Sequence, residues 1–263
     1  MPYRIFYLEI NFYIVGLDEK QKKALDDILE KKFKEKLIHF KKPKGLYKHF
    51  AAIHTIPEKD RRMYSGIHSL LTTFGQSFYE DMAVSIASVN SDKTERFWKS
   101  NQSVSKDRIA KISDIVNDLA NKTTKPDRAR EVKEILSVPN KNLTRVDKGR
   151  IVDVYVKQGG KEYYFEIKTV GPNIQGFRSY KEQVLTWVAR ADKDIHAALV
   201  LPYNPYLPQP YKRPGSEVLE LGEDLLVGKD FWDILGGKGC YEDIEDAFKR
   251  VGNKYWTKLS AKF

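Results

Sequence analysis

Two short runs of alternating apolar and polar residues meet at a glycine pair and form the clearest element of the chain. Residues 151–157 (IVDVYVK) and 161–168 (KEYYFEIK) are rich in β-branched and aromatic residues, which favour strands. Between them, after Gln158, lie Gly159 and Gly160, which accept the positive φ that a tight primed turn requires. The pattern therefore predicts an antiparallel β-hairpin.

The turn determines which residues of the hairpin face each other. With Gly159 and Gly160 as turn residues, Gln158 faces Lys161 and, counting along both strands, Asp153 faces Glu166. Side chains alternate between the two faces of a strand pair, so one face is predicted to be polar and the other to be a core face. The polar face carries Asp153, Tyr155, Tyr164, Glu166 and Lys168. The core face carries Val152, Val154, Val156, Tyr163, Phe165 and Ile167.

Two facing carboxylates repel each other, so this pairing needs a compensating charge. Mg²⁺ prefers oxygen ligands and often binds through one or two carboxylates together with a substrate phosphate. We therefore predict Asp153 and Glu166 as metal ligands, with the backbone carbonyl of Ile167 as a further ligand. Lys168 is predicted to position or activate a water molecule, or to stabilise the charge that develops on a phosphate.

This arrangement resembles the PD-(D/E)XK nuclease superfamily, and within it the type II restriction endonucleases. The matching residues are Asp153 and, after twelve intervening residues, Glu166-Ile167-Lys168. The family places these groups on neighbouring strands and usually has a proline before the aspartate, whereas this chain has Val152. The resemblance covers about residues 66–202.

The Glu-x-Lys triplet by itself is not distinctive. Residues 30–32 and 131–133 also match it, but they fall in runs that we interpret as helical and solvated. The triplet at 166–168 differs through its strand context, its apolar back face and the opposed Asp153. The alternative interpretation is an exposed hairpin with surface charges.

The resemblance implies an α/β (α+β) fold, restriction-endonuclease-like, with a mixed central β-sheet flanked by helices. It implies Mg²⁺-dependent, sequence-specific hydrolysis of double-stranded DNA that leaves 5′-phosphates. It also implies a homodimer that reads a palindrome by two-fold symmetry, and a cognate DNA methyltransferase that protects the host DNA.

Residues 66–89 are apolar or small almost all round, which predicts one buried central helix. Glu80 and Asp81 are its only Asp, Glu, Lys or Arg residues, and a buried carboxylate is costly unless it is paired or binds a metal. In the resembled family, a helix before the hairpin commonly supplies a further acidic residue near the metal. Glu80 fits that role better than Asp81; a salt bridge is the alternative.

Several other elements follow from local patterns. Asp18 and Gln21 are spaced as a capping box before an amphipathic helix. Residues 91–108 are polar around Phe97-Trp98, and we interpret them as a surface linker rather than a DNA-contacting loop. A helix that follows the loop 169–176 precedes the continuous apolar run 195–201, which predicts a parallel crossover onto the hairpin.

Four cations are predicted to contact DNA. Arg178 and Lys181 lie in the first turns of a helix, where they oppose the helix dipole, so we assign them to DNA phosphates, with a solvated face as the alternative. Lys212 and Arg213 end a Pro- and Tyr-rich stretch, 202–214, which we interpret as an extended surface connector with DNA recognition as the alternative.

The chain of 263 residues has a net charge of +10, which is typical of nucleic-acid binders, although a lysine-rich proteome is the alternative explanation. We expect a single nuclease domain, 1–263, with its catalytic core at about 66–202 and helical additions at both ends. The single cysteine, Cys240, fits a reducing compartment, so we expect a cytoplasmic location. No run approaches the roughly 18 apolar residues of a membrane span.

Two other functions stay open on the sequence alone. A junction-resolvase-like nuclease of DNA repair or recombination would share the fold; the late position of the hairpin, from Ile151, is an argument against it. A non-catalytic basic DNA-binding protein would bind with a steep salt dependence and show no metal-dependent cleavage.

Overall fold

The structure, a computed structural model, describes residues 16–39, 64, 67–68, 70–72, 74–75 and 77–261. Part of the predicted N-terminal addition, residues 1–15 and 40–63, therefore lies outside the described residues. The strands are β1 (Lys93–Lys99), β2 (Ser103–Ser105), β3 (Leu143–Arg145), β4 (Ile151–Gln158), β5 (Lys161–Ile167), β6 (His196–Leu201) and β7 (Leu225–Val227). The helices are α1 (Glu19–His39), α2 (Phe78–Ala87), α3 (Lys106–Ala120), α4 (Arg128–Ser137), α5 (Ile174–Ala191), α6 (Lys229–Gly236) and α7 (Cys240–Ser260), and a 3₁₀ turn covers Ser216–Val218.

A five-stranded mixed sheet in the order β1-β4-β5-β6-β7 forms the centre of the fold. β1, β4 and β5 pair antiparallel, whereas β6 and β7 continue parallel to β5. The parallel step from β5 to β6 passes through α5, as the crossover pattern predicts. The predicted α/β fold with helices around a mixed sheet is confirmed.

The hairpin forms in the predicted register. Both turn glycines, Gly159 and Gly160, have positive φ, and the β4–β5 ladder runs from Gln158 opposite Lys161 to Val154 opposite Phe165. The ladder stops one step before Asp153 would face Glu166. At that point a side-chain hydrogen bond links the two strands: Oδ2 of Asp153 accepts from the backbone amide of Ile167 at 2.9 Å.

Each face of the sheet has its own apolar core. One core joins the sheet to α1, α2, α6 and α7, and it contains Val154, Val156, Phe165 and Ile167. The other joins the sheet to α3, α4 and α5. Tyr155 and Tyr164 belong to this second core, opposite the first, as the alternation predicts.

Val152 was predicted on the face of Val154, and this is wrong, because it packs in the second core. The reason lies in β1, where Phe97 has a φ of 56° and occupies the position across from Asp153. This residue breaks the alternation, so Trp98, the partner of Val152, turns to the second face and stacks on Tyr155 at 4.7 Å between ring centroids.

The linker predicted at 91–108 is also wrong, since residues 93–99 form strand β1 at the edge of the sheet. Most residues of this edge strand are exposed or only partly buried. The β1 sequence, KTERFWK, therefore lacks the apolar alternation by which strands are recognised.

The single helix predicted for 66–89 is interrupted. Gly75 lies in a turn and Ser77 has a left-handed φ of 58°, a conformation that an α-helix cannot continue through, so α2 begins only at Phe78. The helix is nevertheless central, because five of its ten residues are buried.

The capping box at the start of α1 is confirmed. The Asp18 amide donates to Oε1 of Gln21 at 2.9 Å, and the Gln21 amide donates to Oδ1 of Asp18 at 2.7 Å. In the part of the chain that the structure describes, no helix is long and apolar enough to cross a membrane.

Lys181, which we predicted to contact DNA phosphates or to lie on a solvated face, is in the interior of the protein. Its side chain on α5 is fully buried and pairs with Glu131 of α4 and Asp224, the residue before β7. Glu131, which we assigned to a solvated helix, is itself fully buried. Burial raises the pKa of Glu131, and the Lys181 charge offsets this rise only in part. The cation therefore serves the fold by joining α4, α5 and the start of β7.

We expect the Lys181→Ala substitution to destabilise the protein by about 3–5 kcal/mol, because it leaves two buried carboxylates without their partner. Urea unfolding measures this directly. Lys133→Ala, which removes an exposed lysine of α4, is the matched control and should change the unfolding free energy by less than about 0.5 kcal/mol. Similar effects of the two substitutions would contradict a structural role for Lys181.

Candidate active site

The end of the hairpin opposite its turn gathers two carboxylates around one ammonium group. Nζ of Lys168 lies 2.6 Å from Oε1 of Glu166 and 3.6 Å from Oδ2 of Asp153. Both carboxylate side chains are largely buried, with 12% of Glu166 and 16% of Asp153 exposed, whereas Lys168 is 34% exposed. The predicted association of Asp153 with Glu166 and Lys168 is therefore present in the fold.

Charge and burial oppose each other at this cluster. Burial raises the pKa of Glu166, and repulsion from Asp153 raises it further, while the charge of Lys168 lowers it. Burial lowers the pKa of Lys168, but attraction to Glu166 and Asp153 outweighs burial, so the net shift is upward. Lys168 is consequently a stable ammonium ion, suited to stabilising negative charge and donating hydrogen bonds rather than to accepting a proton.

The donor set is compatible with a hard cation. Among the described residues, no three His, Cys, Asp or Glu side chains form a preformed metal cage. Two partly exposed carboxylates suit Mg²⁺, which keeps several waters and takes ligands from substrate phosphate. They suit Zn²⁺ less well, since Zn²⁺ favours closed cages of nitrogen and sulfur. The ammonium group between Asp153 and Glu166 also shows that this position favours positive charge.

Glu80 approaches the cluster from α2. Burial raises its pKa, repulsion from Asp153 adds to the rise, and Lys168 and Arg96 oppose it. No salt bridge joins Glu80 to a lysine or arginine within the described ranges. Its neighbour Asp81 pairs with Arg96 of β1, so the structural ion pair belongs to Asp81 rather than to Glu80.

Gln183 is a site residue that the sequence analysis missed. It lies on α5, and its Nε2 donates to Oε2 of Glu166 at 2.8 Å, on the oxygen that Lys168 does not hold. Tyr180 lies three residues earlier, and the centroid of its ring is 5.7 Å from Nζ of Lys168. The spacing of Tyr180 and Gln183 places them on one side of α5. This spacing was the available signal, since Gln183 is a polar residue on the half-buried side of an amphipathic helix.

The predicted DNA contacts fall in different places. Arg178 lines a polar cavity of about 210 Å³ between α3 and α5, where its Nε is buried and has no hydrogen-bond partner among the residues that the structure describes. Lys212 is exposed. Arg213 packs with Tyr211 against Gly171, in the loop that follows Lys168, where an added Cβ would lie 2.6 Å from Oη of Tyr211.

The Pro- and Tyr-rich stretch, 202–214, is docked on that same loop. Oη of Tyr203 donates to the carbonyl of Thr169 at 3.1 Å, which places this stretch beside the residue that follows Lys168. The stretch is thus an ordered connector that supports the active-site loop.

Comparison with known protein families places this chain among the type II restriction endonucleases. The family model described as "Type II restriction endonuclease, HinfI" matches residues 17–252, so the chain belongs to this family and the resemblance stated from the sequence is confirmed.

A curated relative, the type II restriction enzyme MjaII of Methanocaldococcus jannaschii, is 30% identical over 188 residues, which cover 65% of this chain and 50% of that protein. The chain spans about half the length of this curated relative. No solved structure matches the chain.

For the Mg²⁺-dependent DNA cleavage proposed below, we expect Gln183→Leu to slow the reaction by about 10- to 100-fold, because it frees one oxygen of Glu166 from its orienting hydrogen bond. Mg²⁺ titration of the cleavage rate should show a higher half-saturating concentration, which a general loss of folded protein would not produce. Gln175→Leu, at an exposed position of the same helix, is the control. An unchanged Mg²⁺ dependence in Gln183→Leu would contradict the role.

Proposed function

We propose that this protein is a type II site-specific deoxyribonuclease that hydrolyses phosphodiester bonds of double-stranded DNA with Mg²⁺ and leaves 5′-phosphates. The observation that carries this proposal is the meeting of Asp153, Glu166 and Lys168 at the end of one hairpin, in a chain of the HinfI family. A surface hairpin with scattered charges would not bury its carboxylates or order them around one cation.

In this proposal Asp153, Glu166 and the carbonyl of Ile167 hold the metal ion. The hydrogen bond from the Ile167 amide fixes Asp153, and Gln183 fixes Glu166, so both carboxylates are preorganised. When bound, Mg²⁺ polarises a phosphoryl oxygen and makes a water molecule more acidic.

Lys168 and Glu80 act on the water and the phosphate. As a stable ammonium ion, Lys168 donates hydrogen bonds to the attacking water and stabilises the charge that grows on the phosphate. Glu80 is close enough to Asp153 to be repelled by it. In this proposal it holds a water molecule or a second metal ion beside the carboxylate cluster.

The proposed substrate is duplex DNA, in agreement with a net charge of +10. Arg178, Lys212 and Arg213 are proposed phosphate contacts. The family membership further supports a homodimer that reads a palindrome, a cognate methyltransferase as functional partner, and action in the cytoplasm.

Plasmid digestion tests the proposed function. We expect discrete fragments only when Mg²⁺ is present, and no cleavage by Asp153→Ala or Lys168→Ala, because each substitution removes a charge from the cluster. The control is Lys161→Ala, which removes an exposed lysine at the start of β5. This variant should cleave the plasmid at the wild-type rate. Intact plasmid in every lane, with DNA binding retained, would support a binding protein, and cleavage of branched DNA alone would support a repair nuclease.

Glu80→Gln separates a catalytic role from a structural one. Burial and the nearby Asp153 disfavour the ionised form of Glu80, so its charge destabilises the folded protein above its raised pKa. We therefore expect the Gln variant to be at least as stable as the wild type at pH 8 in thermal unfolding, yet to cleave about 10- to 100-fold more slowly. Wild-type cleavage by this variant would remove Glu80 from the mechanism.

A further inference from the structure

Phe97 adopts a backbone conformation that aromatic residues avoid. Its φ is 56°, in the left-handed region where Cβ collides with the following carbonyl group, and for a bulky residue such a value is a true outlier. Residues that keep such strain are concentrated at functional sites, where the surrounding structure imposes it. The origin of this strain is therefore informative.

Packing of the Phe97 ring itself does not explain the strain, although the same backbone turn brings Trp98 to the second core. The Phe97 side chain is 42% exposed, whereas the next residue, Trp98, is packed against the second core. β1 is an edge strand, so its free side carries no neighbouring strand among the described residues. The backbone thus directs a large apolar side chain towards solvent. This costs free energy twice, through the exposed apolar surface and through the unfavourable φ.

The position of Phe97 links it to the active site. Arg96 pairs with Val154 and Trp98 with Val152, so Phe97 lies across the ladder from Asp153. The guanidinium of Arg96 lies 4.6 Å from the centre of the Phe97 ring. Arg96 also pairs with Asp81 of α2, and its charge lowers the pKa of Glu80. The exposed ring therefore lies beside Arg96, at the position of β1 that faces Asp153 across the ladder.

The chemistry of this part of the edge strand suits DNA. An aromatic ring without hydrogen-bonding groups offers a flat apolar face, and nucleobases stack on such faces whatever their sequence. Arg96 beside the ring and the exposed Lys99 at the end of β1 provide positive charge for the phosphates. A protein partner recognised at this edge would instead need the free backbone groups of β1, whose regular geometry Phe97 interrupts.

We propose that Phe97 is a DNA-contacting residue that stacks on a nucleobase next to the scissile phosphate and so holds the cleaved strand over Asp153. This inference rests on the proposed nuclease function. The strained backbone serves to aim the ring at the DNA, where a regular strand would turn it to the second core.

Substitutions at Phe97 separate contact from structure, because the conformation itself favours other residues. Phe97→Gly and Phe97→Asn tolerate a positive φ, so both should unfold at a temperature equal to or above that of the wild type. Both should also lose about tenfold to a hundredfold in affinity for the duplex that wild-type cleavage identifies, measured by fluorescence anisotropy at fixed salt. Phe97→Trp should retain wild-type affinity, because it keeps an aromatic face.

A fluorescent base reports on the contact itself. With 2-aminopurine placed beside the scissile phosphate, binding of the wild type should change its fluorescence, and binding of Phe97→Gly should not. Leu143→Ala, which removes an exposed apolar side chain from β3, is the control and should behave like the wild type.

Three results would overturn the inference. Wild-type affinity and cleavage by Phe97→Gly would show that the ring makes no contact. A loss of stability parallel to the loss of affinity would show a structural role. Unimpaired DNA binding combined with self-association of Phe97→Gly would show that the strained residue protects the sheet edge instead. If the wild type itself does not cut DNA, the proposed function fails, and that outcome is distinguishable from failure at Phe97 alone.

Discussion

The attraction between the Lys168 ammonium and the carboxylates of Glu166 and Asp153 is the interaction on which the architecture of the site depends. Two acidic side chains, brought together where β4 and β5 end, repel each other in a largely buried setting. The ammonium group of Lys168, the residue after β5, offsets this repulsion. A divalent cation at the same place would neutralise both carboxylate charges. In the proposed nuclease, the same imbalance would favour the binding of a metal ion, since perturbed carboxylates are concentrated at functional sites.

Polar contacts from the surrounding elements fix the positions of the charged side chains at the site. Gln183 and Tyr180 approach Glu166 and Lys168 from α5, and the buried cation Lys181 fixes α5 against α4 and β7. Arg190, near the end of α5, donates to the carbonyls of Val146, Lys148 and Gly149, in the segment that leads into β4. One helix therefore positions both strands of the site.

Much of this was readable from the sequence. Periodicity predicted the hairpin, its register, α1 with its capping box, α5 and the parallel crossover, because these depend on local alternation and turn chemistry. The strand context distinguished the triplet at 166–168 from its two helical counterparts. The errors concern features without a local pattern: β1 and the second-face position of Val152 depend on partners far along the chain, and the break before α2 lies at a single left-handed residue. An edge strand and a left-handed serine leave no periodic pattern from which to predict them.

The sequence by itself determined which residues meet at the end of the hairpin, because a paired Asp and Glu-x-Lys on a hairpin follow from turn type and alternation alone. Only the tertiary structure decided which charges serve the fold and which serve the site. Lys181 and Glu131 look like surface residues in sequence, yet they are buried partners, since burial depends on which helices pack together. Gln183 has only its place on the half-buried side of α5 as a local signal, and Phe97 has none. Gln183 meets Glu166, and Phe97 comes to lie across from Asp153, only when the sheet has formed.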